Sequence, residues 1–366
     1  MCAIESGDVN GRSRVAPRII SWNLTIRCPL ACSHCYVDAG DKEIDGALST
    51  SEAYSVIDQI RATGTPVIVL SGGEPLMRDD LCRIARYGTK RGLRMVMGTS
   101  GYTLDPPTAA RLREAGIRAA AISLDSADPA SHDSFRGVRG AWDRAVQAIK
   151  NCREEGIGVQ INMTAVHPSA DTIDSVVSLG KSLGVRDFQI FFPVPTGRAG
   201  ETAPEESHSY EEVIRQVLKK YHGTEVNIRP TCAPQFRRIA DELGIRNPSW
   251  GKGCIAGTGY CRIFANGDVT PCPYLPVSAG NVRETTFGEI WKSAPLFRML
   301  RDPDQLSGKC GRCEYKTVCG GCRARAYRGR GWTSPRWCDG LEQPGEMSRE
   351  VCGEDPWCPY QPGEST

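Results

Sequence analysis

The chain has 366 residues, enough to bury a sizeable core, and its length suggests one large domain with a smaller one beside it. Its 45 Lys and Arg balance 43 Asp and Glu, so no global charge argues for nucleic acid or an anionic membrane as partner. No run of about 18 apolar residues occurs, so no membrane span is expected. Residues 1–18, MCAIESGDVNGRSRVAPR, lack the apolar core of a secretory signal and read as a flexible tail. Seventeen cysteines fall unevenly, seven before residue 254 and ten from Cys254 onward. In a long chain without a signal peptide this points to metal binding in a reducing cytoplasm rather than to disulfides.

From Ile19 onward, short apolar runs alternate with amphipathic stretches. Strands are expected at Ile19–Ile26, Val67–Leu70, Arg94–Gly98, Ala119–Leu124, Gly158–Thr164 and Asp187–Phe191. Helices are expected at Ser51–Thr63, Asp80–Arg91, Thr108–Ala115, Ala141–Glu155 and Thr172–Leu183, with a further one at Tyr210–Tyr221. Six βα repeats argue for a parallel α/β sheet, for which an open doubly wound form is the default. The segment closing the sixth strand, Phe191-Phe192-Pro193-Val194-Pro195-Thr196-Gly197-Arg198, ends the regular repeat.

The first strand runs into Cys28, Cys32 and Cys35, spaced C-x3-C-x2-C. A cubane iron–sulfur cluster has four irons, so three thiolates leave one iron open, as catalytic metal sites leave a position open. The alternative is three buried cysteines or a structural zinc site. Further motifs stand at strand ends: Ser71-Gly72-Gly73-Glu74-Pro75, Gly98-Thr99-Ser100-Gly101, Ser123-Leu124-Asp125-Ser126, and Asn162 with Met163. Read alone these are turn residues. The phrase SHDSFRGVRGAW follows the fourth strand and contains His132, Arg136 and Gly137.

The C-terminal cysteines form a second system. Cys254, Gly267 and Cys272 make C-x12-G-x4-C, with Asn266-Gly267-Asp268 as a hairpin turn that sets Cys261 across from Cys272. Cys310, Cys313, Cys319 and Cys322 follow as C-x2-C-x5-C-x2-C, which alone would fit a zinc ribbon.

Together the triplet and SGGEP, about 40 residues downstream, resemble the radical S-adenosylmethionine superfamily, with His34 where Tyr, Phe or Trp is commoner. The resemblance implies a partial (β/α)6 TIM-like barrel over 19–222. It implies a [4Fe–4S] cluster on Cys28, Cys32 and Cys35, which cleaves S-adenosylmethionine to a 5′-deoxyadenosyl radical. Cofactor contacts are implied at Tyr36, Gly72, Gly73, Glu74, Pro75, Thr99, Ser100, Ser123, Asp125 and Asn162, and Arg136 could meet the cofactor's carboxylate.

The C-terminal pattern resembles a SPASM domain over 254–366, joined by a bridge at 223–253 and interrupted by an insertion at about 328–354. It implies one or two auxiliary [4Fe–4S] clusters, one on Cys254, Cys261, Cys272 and Cys322. The other would use Cys310, Cys313, Cys319 and a late cysteine: Cys358, with Cys338 or Cys352 as competitors. Cys2, Cys82 and Cys152 read as ordinary thiols. The phrases around these cysteines resemble the haem-biosynthesis branch, which implies a tetrapyrrole substrate and a ferredoxin or flavodoxin as electron donor. A polycarboxylate would need cations, and Arg323, Arg325, Arg328 and Arg330 cluster after the last knuckle, where a solvated basic face is the plainer reading. Two alternatives remain: a maturase acting on a precursor peptide, and a non-catalytic iron–sulfur scaffold.

Overall fold

The computed structural model describes residues 16–166, 168–198, 207–328 and 348–363. Residues 1–15 of the tail, with Cys2, and Cys338, Arg330 and most of the insertion lie outside them. Seven parallel strands form the frame: β1 (Ile19–Asn23), β2 (Val67–Ser71), β3 (Arg94–Thr99), β4 (Ala119–Ser123), β5 (Gly158–Thr164), β6 (Asp187–Phe191) and β7 (Asn227–Thr231). Between them run α1 (Thr50–Thr63), α2 (Leu81–Lys90), α3 (Pro106–Glu114), α4 (Pro129–Arg136), α5 (Ala141–Glu154), α6 (Ala170–Ser182) and α7 (Ser207–Tyr221). Helix α8 (Phe236–Glu242) follows β7, then strands β8 (Tyr260–Ile263), β9 (Asp268–Thr270) and β10 (Gly280–Asn281). The C-terminal part adds α9 (Phe287–Ser293), α10 (Pro295–Arg301), α11 (Gly308–Arg312), α12 (Arg323–Arg328) and α13 (Ser348–Val351).

Strand order decides the architecture. The sheet runs β10-β9-β8-β1-β2-β3-β4-β5-β6-β7 without a reversal among the parallel strands. Right-handed crossovers in a sheet that never reverses put every helix on one face, whereas a doubly wound sheet needs a switch point. The two faces differ accordingly. Ile20, Trp22, Ile68, Leu70, Met95, Met97, Ile122, Ile161, Phe188 and Ile190 point to the helices and are fully buried. The alternate positions, among them Ser71, Gly98, Ser123, Asn162 and Gln189, stay half-buried and line the inner face, or lumen. A filled barrel would pack this face with branched apolar side chains throughout; here Ser71, Gly98, Ser123, Asn162 and Gln189 share it with Val69, Val96 and Phe191.

Two elements escaped the apolar-run reading. Strand β7, NIRPT, extends the frame beyond the six expected strands; its Pro230 is tolerated because β7 is the sheet's edge. Helix α4, PASHDSFR, buries only His132 and Arg136, so it shows no apolar stripe; Asp128 caps it by accepting from the Ser131 amide. The expected hairpin is β8–β9, but its register pairs Arg262 with Thr270, so Cys261 does not stand across from Cys272; β8 also pairs in parallel with β1, so the C-terminal cysteine region continues the barrel's own sheet. Among the described residues, no helix is long and apolar enough to cross a membrane.

Candidate functional site

The cysteine loop after β1 is held from three sides. On the first, Gly73 and Glu74 donate their amides to the carbonyls of Thr25 (2.8 Å) and Arg27 (2.7 Å). A Cβ on Gly73 would lie 2.5 Å from the Arg27 carbonyl oxygen and 2.6 Å from that of Ile26. The paired glycines therefore let one backbone seat on another. On the second side, Ala31 and Ser33 donate to the carbonyls of Arg136 and Phe135 at the end of α4, each at 3.1 Å. His34 lies flat on the Phe135 ring, centroids 4.1 Å apart and planes 4° apart. Burial, then the charge of Arg136, lowers His34 to about 3, so its ring is neutral. On the third, the Arg198 amide donates to the Cys35 carbonyl (3.0 Å), and its guanidinium to the Cys32 carbonyl (2.8 Å), Asp38 (2.8 Å) and the Ala39 carbonyl (2.9 Å). Gly197 has φ 58°, and a side chain there would run into the backbone of Cys35 and Tyr36. In the sequence Arg198 stands only at the end of the segment that closes the sixth strand; the P-T-G before it, which turns the chain back onto the cysteines, is the signal available.

Each sulfur of the triplet receives an N–H: Leu30 to Cys28 (3.5 Å), Ala39 to Cys35 (3.3 Å) and Arg136 Nη1 to Cys32 (3.8 Å). Burial pushes the Cys28 thiol up to about 12 and raises Cys35. Three sulfurs on one loop that each accept an N–H bond match the donor set of an iron–sulfur cluster.

Several strand-end residues turn out to serve one another. Glu74, fully buried, accepts from Thr99 Oγ1 (2.8 Å), the Ser100 amide (2.8 Å), Ser100 Oγ (2.5 Å) and the Leu76 amide (3.3 Å). It ties the ends of β2 and β3 together, with Pro75 starting the short 3-10 turn behind it. Asp125 accepts from Arg136 Nε (2.6 Å) and the Thr164 amide (2.9 Å), and its own amide donates to His132 Nδ1 (3.1 Å). Burial alone would raise Asp125; the Arg136 guanidinium and His132 hold it well below the usual carboxylate range. In this structure Arg136 thus links Asp125 to the Cys32 sulfur. Ser123 and Asn162 are register neighbours on the lumen face, where Gln160 donates to Asn162 Oδ1 (2.7 Å).

Tyr36 leads toward the second cysteine system. Its hydroxyl accepts from Asn23 Nδ2 (3.0 Å), and its ring meets that of Tyr274, centroids 5.4 Å apart, two residues beyond Cys272. The expected ligand Cys261 faces away from the lumen. Cys261 sits on β8 opposite Ile20, on the helix-facing side, with no exposure. Burial raises its thiol, and the one charged neighbour that bears on it is Arg301. The period-two alternation of β8 that sends Arg262 to the lumen sends Cys261 into the core. Cys232 stands just after β7. Burial, then the thiols of Cys322, Cys272 and Cys254, raise Cys232 well above a thiol's usual value. Its φ of 59° is left-handed backbone, rare for a side-chain-bearing residue. Cys232 thus lies close enough to Cys254, Cys272 and Cys322 for their charges to bear on it. The signal was present as an unassigned cysteine upstream of Cys254.

Cys310, Cys313, Cys319 and Cys358 line one cleft. Cys352 does not; it follows α13 and is buried. Arg323 and Arg325 are buried rather than part of a solvated face. Arg325 pairs with Asp355 (2.9 and 2.7 Å) and donates to the Cys232 carbonyl (2.6 Å), while Asp355 accepts from the Cys322 amide (2.9 Å). Arg323 donates to the carbonyls of Val351 (3.1 Å) and Gly353 (2.7 Å) and to the Cys310 sulfur (3.7 Å). These arginines brace both cysteine groups from within. Among the described residues, no three His, Cys, Asp or Glu side chains gather tightly enough for a single metal ion.

Residues 22–179 match the model of the Radical SAM superfamily, and residues 254–323 match SPASM, the iron-sulfur cluster-binding domain. An AdoMet-dependent heme synthase of Methanosarcina barkeri is 41% identical over 360 residues, covering 95% of this chain and 98% of that one. The chain belongs to the radical SAM superfamily, in its haem-biosynthesis branch. A second AdoMet-dependent heme synthase, from Nitratidesulfovibrio vulgaris, is 37% identical over 362 residues, 95% of this chain and 94% of that one. Among solved structures, Streptococcus suis SuiB bound to S-adenosylmethionine superposes with a TM-score of 0.71 at 18% identity, over 88% of this chain and 77% of that one. That likeness carries the fold. This radical SAM enzyme takes a [4Fe–4S] cluster, S-adenosylmethionine and auxiliary iron–sulfur clusters as cofactors.

Proposed function

We propose that this enzyme makes haem by oxidative decarboxylation of propionate side chains on iron-coproporphyrin III, in the cytoplasm, with a reduced ferredoxin or flavodoxin as electron donor. The observation that carries the reading is end-to-end similarity to the AdoMet-dependent heme synthase, over 95% of one chain and 98% of the other. In this reading Cys28, Cys32 and Cys35 hold the radical-generating cluster, Cys232, Cys254, Cys272 and Cys322 one auxiliary cluster, and Cys310, Cys313, Cys319 and Cys358 the other. When bound, these groups supply a carbon-centred radical that takes hydrogen from an unactivated C–H bond, together with sites for one-electron transfer.

The chain's own residues supply position. Arg198, Arg136 and the Gly72-Gly73 seat fix the cysteine loop against the ends of β2, α4 and β6. The helix-facing wall is packed and dry. Ser123, Asn162 and Gln189, in register across β4, β5 and β6, present polar groups to a ligand in the lumen. A site built on strands holds its geometry better than one built on loops.

The test is anaerobic reaction of the reconstituted protein with S-adenosylmethionine, reductant and iron-coproporphyrin III, followed by mass spectrometry. Stepwise loss of carbon dioxide with formation of vinyl groups is expected. If 5′-deoxyadenosine accumulates while the porphyrin stays intact, the substrate assignment is wrong.

A further inference from the structure

One group of cations is used neither by the cysteine loop nor by the auxiliary sites. Arg229 lies in mid-β7, in register with Gln189 of β6, which is itself opposite Asn162 of β5. Its neighbours Ile228 and Pro230 are buried, so alternation puts Arg229 on the lumen face, half-buried. Its guanidinium carbon lies 5.9 Å from the centre of the Phe236 ring, and Phe236 meets Trp250 edge-on at 5.4 Å. Arg237 is the next residue on α8, and its Nε is buried without an acceptor. The indole N–H of Trp250 is likewise buried without an acceptor. Arg18 adds charge: its Nη1 would stand 3.2 Å from a Cβ on Gly251, the residue after Trp250.

Arg229 and Arg237 have no carboxylate partner among the described residues. Asp187, one step down the lumen face, accepts from the side-chain Nδ2 of Asn227 (2.9 Å). Burial, and then the charges of Arg18 and Arg237, lower Arg229 below its usual value. Like charges held together with orphaned donors form a costly arrangement unless an anion completes it.

We propose that Arg229 and Arg237 form a carboxylate anchor on the β7 side of the lumen, which holds the two propionates that the tetrapyrrole keeps. This rests on the tetrapyrrole reading above. Those two groups are favoured for a chemical reason. A reacting propionate leaves as neutral carbon dioxide, so a guanidinium fork on it would stabilise the starting anion and oppose its departure. A retained propionate is charged before, during and after the reaction, and pairing it with arginine fixes the macrocycle without that penalty. The same anchor therefore recognises substrate and product.

The experiment is a Soret titration of full-length reconstituted protein with iron-coproporphyrin III and, separately, with iron-protoporphyrin IX. The double variant R229M/R237M should lose about tenfold or more in affinity for each, by similar factors, as expected for lost charge-assisted hydrogen bonds. R229K, which keeps charge but not the fork, should fall between. The tetramethyl ester of iron-coproporphyrin III should bind wild type and double variant alike. R186M, at an exposed arginine paired with Glu225, controls for general loss of positive charge and should bind as wild type; iron content and far-UV circular dichroism report folding. Unchanged affinity of a folded double variant for both porphyrins would overturn the anchor. A loss confined to iron-coproporphyrin III would overturn the assignment to retained propionates. Wild type that binds neither porphyrin would refute the tetrapyrrole reading itself, and the anchor with it.

Discussion

Exchanging the roles of Cys232 and Cys261 has a measurable consequence. The background is a variant with Cys28, Cys32 and Cys35 all replaced by Ala, in which the radical-generating site holds no iron. Two fully ligated auxiliary clusters leave about eight irons per chain, since each cubane carries four. Adding C232A removes one of four sulfurs from the group with Cys254, Cys272 and Cys322, and the iron content should fall toward about four. Adding C261A should leave it near eight. Its effect appears elsewhere: a buried sulfur opposite Ile20 is lost from the core, which costs ~1 kcal/mol, the scale of one buried methylene plus a small cavity. Iron and sulfide analysis with a thermal melt reads both quantities. Iron lost with C261A and retained with C232A would refute the placement of both cysteines.

Other outcomes follow from the same geometry. Replacing Cys28, Cys32 and Cys35 by Ala should abolish 5′-deoxyadenosine formation from S-adenosylmethionine, measured by chromatography. G73A forces a methyl to within 2.5 Å of a carbonyl oxygen of the cysteine loop; it should cost ~1–3 kcal/mol by overpacking and reduce cluster retention in the visible spectrum. D125N leaves Arg136 buried without its counter-charge, a loss of ~3–5 kcal/mol in denaturant unfolding. The sign with pH follows, because a carboxylate whose folded pKa is depressed stabilises the fold above its unfolded value of about 4, and that contribution fades as pH falls further. Wild type should therefore lose stability below about pH 4 more steeply than D125N. R198A removes guanidinium bonds to the Cys32 and Ala39 carbonyls and to Asp38, and should speed iron loss to a chelator.

Much was legible in the linear chain because it depends on spacing along it. Cys28, Cys32 and Cys35 lie within eight residues, so their sulfurs share a loop whatever the rest of the fold does. Apolar runs flanked by capping residues and glycines placed the first six strands within a few residues of their ends, because burial against helices demands that pattern. Strand β7 and helix α4 lacked it: an edge strand tolerates Pro230, and α4 buries a histidine and an arginine rather than aliphatic side chains.

Partnerships across the chain belonged to the tertiary structure. That Glu74 binds Thr99 and Ser100, and that Asp125 takes Arg136, depends on which strand ends lie side by side. The proposed change from Cys261 to Cys232 has the same origin. Pairing of β8 with β1 fixes a register, and with a side-chain period of two, one residue decides between core and lumen. The sequence by itself determined the chemistry the chain carries, because the cysteine count and spacing are local properties. Only the folded sheet decided which sulfurs meet and which arginines face the cavity, because strand order and register bring together residues far apart in the chain.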